Sequence, residues 1–245
     1  RILSIHPKPM LNEVVEDFKG WYQETHGRTI EVTIIQTDIS TAFWRAYGYA
    51  DPGADVWWGG PLPLFKRALR GLLPYNSTIR AELNETCNYC PLADPEHPTP
   101  FWYAASLYGF GVVYNVEVLQ RLRLPLPQTW DDLITGVYEG NITMVEPSQS
   151  EFTQPFITFI LQDRNWTGGW EYLLQLAALM EEFDHSEQES ILKVASGYVP
   201  IAVVPDFYAY EYMAYYPQIN FTYLDSTLLQ PDPIAILRRG AHLDE

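Results

Sequence analysis

Three times within the first 72 residues a short apolar run stops at a polar turn and is followed by apolar positions spaced three and four apart. "RILSI" (1–5) stops at His6-Pro7, and residues 10–24 carry the helical spacing. "TIEVTII" (29–35) leads through residues 36–40 into a predicted helix over 41–48, and "ADVWWGG" (54–60) precedes an amphipathic stretch at 62–72. Short apolar runs bounded by turn residues read as strands and the 3.6-residue period as helices, so the alternation predicts an α/β fold with a parallel sheet. Ligands of such sheets collect beyond the carboxyl ends of the strands. That rule nominates Thr37, Ser40, Trp58, Gly59 and Gly60 as ligand-contacting residues, with His6 beside them.

The pattern changes after residue 74. Residues 74–100 are polar and proline-rich, a surface loop, whereas "FWYAASLYGFGVVYN" (101–115) reads as extended chain crossing into a second lobe, with Gly109 and Gly111 where bending or close approach is needed. Beyond it, Thr129 of "TWDDLI" is placed as a helix N-cap, and the strand "NITMVE" (141–146) runs into "PSQSEFT", whose Ser148, Gln149, Ser150 and Thr153 open a helix. Helices follow over 169–180 and around 187–195. The strand "VPIAVVP" (199–205) then delivers Asp206 and a cluster of phenols, and "PDPIAIL" (231–237) is the last β-rich run. The expected organisation is a first lobe over 1–105, a second over 106–230, and a crossing strand over 231–245 returning to the first. If the phenol segment stays extended, Tyr208, Tyr210 and Tyr212 share a face; if it is helical, Tyr208 and Tyr212 cluster with Tyr215 or Tyr216.

Composition narrows the functional classes. A formal charge of -16 excludes phosphate backbones as partners, because nucleic-acid binding draws its affinity from clustered Lys and Arg. No apolar run approaches the roughly 20 residues of a membrane helix. Asn76, Asn84, Asn141, Asn165 and Asn220 each begin an Asn-x-Ser/Thr sequon, five where chance gives about one, which points to glycosylation outside the cytoplasm. Cys87 and Cys90, the only two cysteines, form C-x-x-C with only His97 nearby, so a local disulfide is expected rather than a four-ligand zinc site. No export signal opens the sequence, and one removed or omitted is expected. No nucleophile elbow, phosphate loop or zinc-protease helix occurs, so no enzymatic activity or catalytic cofactor is expected.

Seven stretches in order, "HPKP", "ADVWWGGPLPLFKRALRGLLPY", "FWYAASLYGFGVVYN", "LPLPQTWDDLI", "GNITMVEPSQS", "VASGYVPIAVVPDFYAY" and "PDPIAIL", together resemble the bacterial and archaeal extracellular solute-binding proteins of ABC transporters. The likeness is to the ferric-iron-binding branch of the type II proteins, and an archaeal source is expected. It implies a two-lobed periplasmic-binding-protein-like fold with ligand held in a cleft, lobe closure, and delivery to an ABC permease in the membrane. Relatives continue past the last crossing into helices that complete the first lobe, so those helices are expected to be missing after residues 240–245.

The resemblance implies two ligand classes. In ferric-binding relatives, second-lobe tyrosines act with a first-lobe histidine and a carboxylate; the matching residues are Tyr208, Tyr210 and His6 as Fe(III) ligands, with Asp206 beside them and Ser148 and Ser150 holding a synergistic anion. Phenolate oxygens suit that hard cation. Alternatively, Ser148, Gln149, Ser150 and Thr153 at the start of the helix, with the amides of Gly59-Gly60, take a small organic anion, phosphorylated, phosphonate or carboxylate, and the tyrosines form the wall. A third expectation, of another class, is a glycosylated surface protein that keeps the fold and self-associates.

Overall fold

Ile201–Pro205 is a run of apolar residues and Ile142–Val145 is apolar except for Thr143; both are buried throughout, and each takes an inner place in a sheet. The computed structural model describes residues 1–82 and 84–242; the last three residues of the expected crossing segment lie outside them. In chain order the elements begin with β1 (Ile2–Ser4), α1 (Lys8–His26), β2 (Ile34–Gln36), α2 (Ile39–Gly48), β3 (Val56–Trp58), α3 (Leu62–Arg67) and β4 (Leu72–Leu73). A small hairpin of β5 (Thr86–Cys87) and β6 (Cys90–Pro91) precedes β7 (Tyr103–Tyr108). There follow β8 (Phe110–Asn115), α4 (Val116–Leu122), β9 (Ile142–Val145), α5 (Thr153–Asp163), α6 (Asn165–Leu179) and β10 (Glu182–Asp184). The chain then forms α7 (Glu187–Ser196), β11 (Ile201–Pro205), α8 (Asp206–Met213), β12 (Ile219–Thr222) and β13 (Gln230–Leu237).

These elements divide into two units, Arg1–Leu107 with the segment from Pro231 onward, and Tyr108–Gln230. The first unit holds a sheet of order β2-β1-β3-β13-β4, with β7 also paired to β13. The predicted parallel alternation accounts for β2, β1 and β3, while β13 runs antiparallel to β3 and β4. Its core is Leu3, Phe43, Trp57, Phe65, Leu72 and Trp102, with Trp57 stacked on Phe65 at a centroid distance of 3.8 Å.

The second unit has the order β10-β9-β11-β8-β12. Here β9 is parallel to both neighbours and β8 is antiparallel to β11 and β12. Val113, Ile191, Val194, Ala202, Val204 and Ile219 form its core between the sheet, α7 and α8. Among its described residues the proline-rich stretch is loop apart from a 3-10 turn, a single bridge from Ala93 to Tyr103 and the hairpin, whose turn residues Asn88 and Tyr89 both have positive φ. Cys87 and Cys90 are cross-strand partners there, yet both are free thiols. The expected disulfide is thus not formed in the structure: Cys87 is exposed while Cys90 is buried, and burial, aided by Cys87, pushes the Cys90 thiol up to about 11.

Two glycines of the second unit should respond oppositely to alanine. A Cβ at Gly111 would lie 2.4 Å from Thr222 O and 2.6 Å from the Phe221 ring, so β8 and β12 must separate. A Cβ at Gly168, inside α6, meets nothing closer than 3.8 Å. Gly111→Ala should therefore cost about 1–3 kcal/mol and Gly168→Ala should gain about 0.5–1 kcal/mol, read by urea unfolding; equal effects would contradict the packing described.

Candidate functional site

In each unit one polar cluster includes residues nominated from the sequence. In the first unit, β1 ends at Ser4 and the chain turns so that the His6 amide donates to Ser4 Oγ at 3.2 Å, while Gln36 Nε2 donates to the His6 carbonyl at 2.9 Å. The registers of β1, β3 and β13 set Ser4 beside Trp58 and Trp58 beside Ile234. Asp232, 5% exposed, then receives three donors on a single oxygen. Trp58 Nε1–H donates to Asp232 Oδ2 at 2.9 Å and the Ser106 hydroxyl at 3.0 Å, and His6 Nε2 lies 2.9 Å away. The rings of His6 and Trp58 meet edge to face at 5.1 Å.

Alternation along β3 separates the two adjacent indoles: Trp57 is core, and Trp58 turns to the His6 side, although it too is only 5% exposed. Gly59 and Gly60 have φ of 96° and 127°, a region L side chains avoid, and a Cβ on Gly59 would stand 2.6 Å from His6 Nε2. The Gly59 amide is not open to a ligand, because it donates to the Pro233 carbonyl at 2.9 Å. Thr37 is half-buried, with its amide given to Ser4 O, and Ser40 is exposed in the first turn of α2. That turn already holds an anion: Asp38 accepts from the Thr41 hydroxyl and amide, bonds that hold its carboxyl below the usual range. A second negative group there would be repelled.

In the second unit, residues 148–152 form turns and α5 begins at Thr153, slightly later than the pattern suggests. No side chain caps α5. Of its first three amides, which have no helical carbonyl to reach, Pro155 has none, leaving Thr153 and Gln154. Ser148 Oγ donates to Glu146 Oε1 at 2.6 Å, and buried Ser150 hydrogen-bonds Glu187 while accepting the Phe152 amide at 3.1 Å. Glu187 is itself buried, and burial pushes its carboxyl above the usual range against the pull of the Ser150 bond. The cavity that Thr153 and Glu187 line is about 10 Å³, room for a water at most and too small for a metabolite.

The phenol segment is helical. On α8, Tyr208 and Tyr210 lie about 200° apart around the axis, so the expected pair of iron ligands is not brought together. Tyr208 packs against Phe152 and Phe207, and burial, then the charges of Glu187 and Glu211, push its phenol above the usual range. Tyr210 packs on Phe221 and is 53% exposed, while Tyr212 stacks on Tyr216. Asp206 opens α8 and is already engaged: its Oδ2 accepts the Gly109 amide at 2.9 Å and the Tyr223 hydroxyl at 2.5 Å. That carboxylate joins the approach to β8 to α8 instead of facing a ligand.

Among the described residues, no three His, Cys, Asp or Glu side chains gather as a metal site. Asn76, Asn84, Asn165 and Asn220 are exposed; Asn141 is half-buried with its Nδ2 donated to Glu139 O. Sequence reasoning missed Asp232, Ser106 and Glu187. The only local signal for Asp232 was a charged residue between two prolines inside an apolar run.

Against known proteins, the profile of the family described as bacterial extracellular solute-binding protein matches residues 65–241. The phosphoglycerate transport regulatory proteins PgtC of Salmonella typhimurium and Salmonella typhi are each 30% identical over 142 residues, 58% of this chain and 36% of theirs. The match thus spans little more than a third of those relatives' length. The periplasmic binding protein AfuA from Actinobacillus pleuropneumoniae, with exogenous fructose-6-phosphate bound, gives a TM-score of 0.75 at 19% identity, covering 99% of this chain and 75% of AfuA. Iron-bound HitA from Pseudomonas aeruginosa gives 0.69 at 16%, covering 98% and 76%. At such identities the likeness is one of fold: the two-lobed α/β fold of periplasmic binding proteins.

Glu187 makes a test of the second cluster. A carboxyl whose folded pKa is raised stabilises fully below its unfolded value, and that contribution is lost as pH rises through the folded value. Glu187→Gln keeps the size and a hydrogen bond to Ser150 but cannot ionise. The melting temperature of the variant relative to the parent should therefore climb between about pH 4 and pH 7; a difference constant across that window would contradict the burial described.

Proposed function

Because the chain belongs to the bacterial extracellular solute-binding protein family, we propose that it captures a small organic anion, a phosphorylated or carboxylated metabolite, for delivery to an ABC permease. The observation that carries this reading is the start of α5, an uncapped first turn with two amides lacking helical acceptors, beside the buried Ser150 and Thr153. Free first-turn amides and the helix dipole favour an anion. The phosphoglycerate in the name of the transport regulatory protein PgtC and the fructose-6-phosphate bound to AfuA are compounds of that chemistry and support it. Within the first unit, the candidate contacts are the His6 and Trp58 rings, at the carboxyl ends of β1 and β3. Export and glycosylation at the five sequons belong to the same reading.

Ferric ion is the second reading, favoured by the fold likeness to iron-bound HitA and by the buried His6–Asp232 pair. It would use His6 with Tyr208, without Tyr210.

Gln154→Glu separates the two. Gln154 is exposed in the first turn of α5, where a carboxylate suits the dipole, so folding should hold or gain about 0.3–1 kcal/mol. Affinity for 3-phosphoglycerate or fructose 6-phosphate should fall at least about tenfold, since like charges so close oppose binding. At a ligand concentration of about 100 times Kd the parent protein should melt roughly 5–10 °C higher. No stabilisation by either ester, together with a saturable visible band on titration with ferric citrate, would replace the anion reading with the iron one.

A further inference from the structure

The Asp232 carboxylate is buried; among the described residues no Lys or Arg is paired to it, and three side chains, His6, Trp58 and Ser106, converge on Oδ2. They come from separate places in the chain: the turn after β1, the end of β3, and β7. Two of them are the rings of His6 and Trp58, which touch each other. From another side, the Gly59 backbone comes so near the His6 ring that a Cβ there would stand 2.9 Å from Cδ2, and Gly59 is in turn bonded to Pro233, next to Asp232. The imidazole is thus clamped between Gly59 and Trp58 and fixed in rotation by the carboxylate. A buried carboxylate whose only task was to brace β13 would need donors but not two adjoining rings.

We propose that Asp232 is the positioning residue of the first unit: through Oδ2 it sets the His6 and Trp58 rings at the angle in which they meet the solute. The role in solute contact rests on the binding function proposed above, whereas the ring geometry does not.

The test is ligand-free nitrogen–proton NMR of the parent, Asp232→Asn and Asp232→Ala, with the Trp58 indole N–H assigned by Trp58→Phe and the His6 ring N–H by His6→Gln. The parent should show both N–H protons protected from exchange. Asp232→Asn supplies a neutral oxygen in the same place, so both signals should persist but move upfield. Asp232→Ala should lose both, and its affinity for 3-phosphoglycerate should fall about tenfold or more, the scale of an abandoned buried partner, while Asp232→Asn stays within about threefold of the parent. Persistence of both signals in Asp232→Ala, or unmoved signals in Asp232→Asn, would overturn the positioning role. Should Asp232→Ala fail to fold, the Asp232→Asn shifts alone decide it. Ring signals that behave as expected beside a protein that binds no phosphate ester would leave the positioning intact and remove only the anion function.

Discussion

A buried carboxylate must gather donors or lose its charge, and that requirement organises the polar part of each unit. Asp232 is satisfied only if the end of β3, β7 and the turn after β1 arrive together, so one oxygen fixes the register of three strands and the orientation of two rings. Asp206 makes the same demand in the second unit, where Gly109 and Tyr223 answer it. Burial pushes the Asp206 carboxyl upward while those bonds oppose the shift. Both carboxylates adjoin the positions where the chain passes from one unit to the other, between residues 107 and 108 and between 230 and 231.

The two clusters are chemically unlike. The first unit presents aromatic edges and donors already turned toward a carboxylate, with no Lys or Arg in the cluster. The second presents an uncapped helix start. Free amides and the dipole at a helix start favour negative charge. A bare ferric ion would instead need several anionic oxygens at one point, and α8 turns Tyr208 and Tyr210 apart.

Hydrophobic patterning read from the chain locates most of the fold, because strands buried on both faces leave continuous apolar runs and their ends fix where the turns must lie. The positions of His6 just after β1 and of Trp58 at the end of β3 are legible in that way. Asp232 is not, because inside "PDPIAIL" its partners lie 126, 174 and 226 positions away and no local period connects them. The phenols show the opposite failure. Tyr208, Tyr210 and Tyr212 alternate as a strand would, but the segment opens with Pro205 at the cap of a helix that packs on α7 and β11, and tertiary contacts decide between the two conformations. Glu187 was hidden for a related reason: its partner Ser150 is 37 residues away, and its place at the start of α7 reads as ordinary capping.

The anion proposal meets its most direct test at the backbone of α5. In nitrogen–proton spectra of the intact chain titrated with 3-phosphoglycerate and fructose 6-phosphate, the Thr153 and Gln154 amide protons should move downfield and saturate together with ligand binding. Saturable binding that leaves those two amides unmoved, or no binding of either ester, would contradict it.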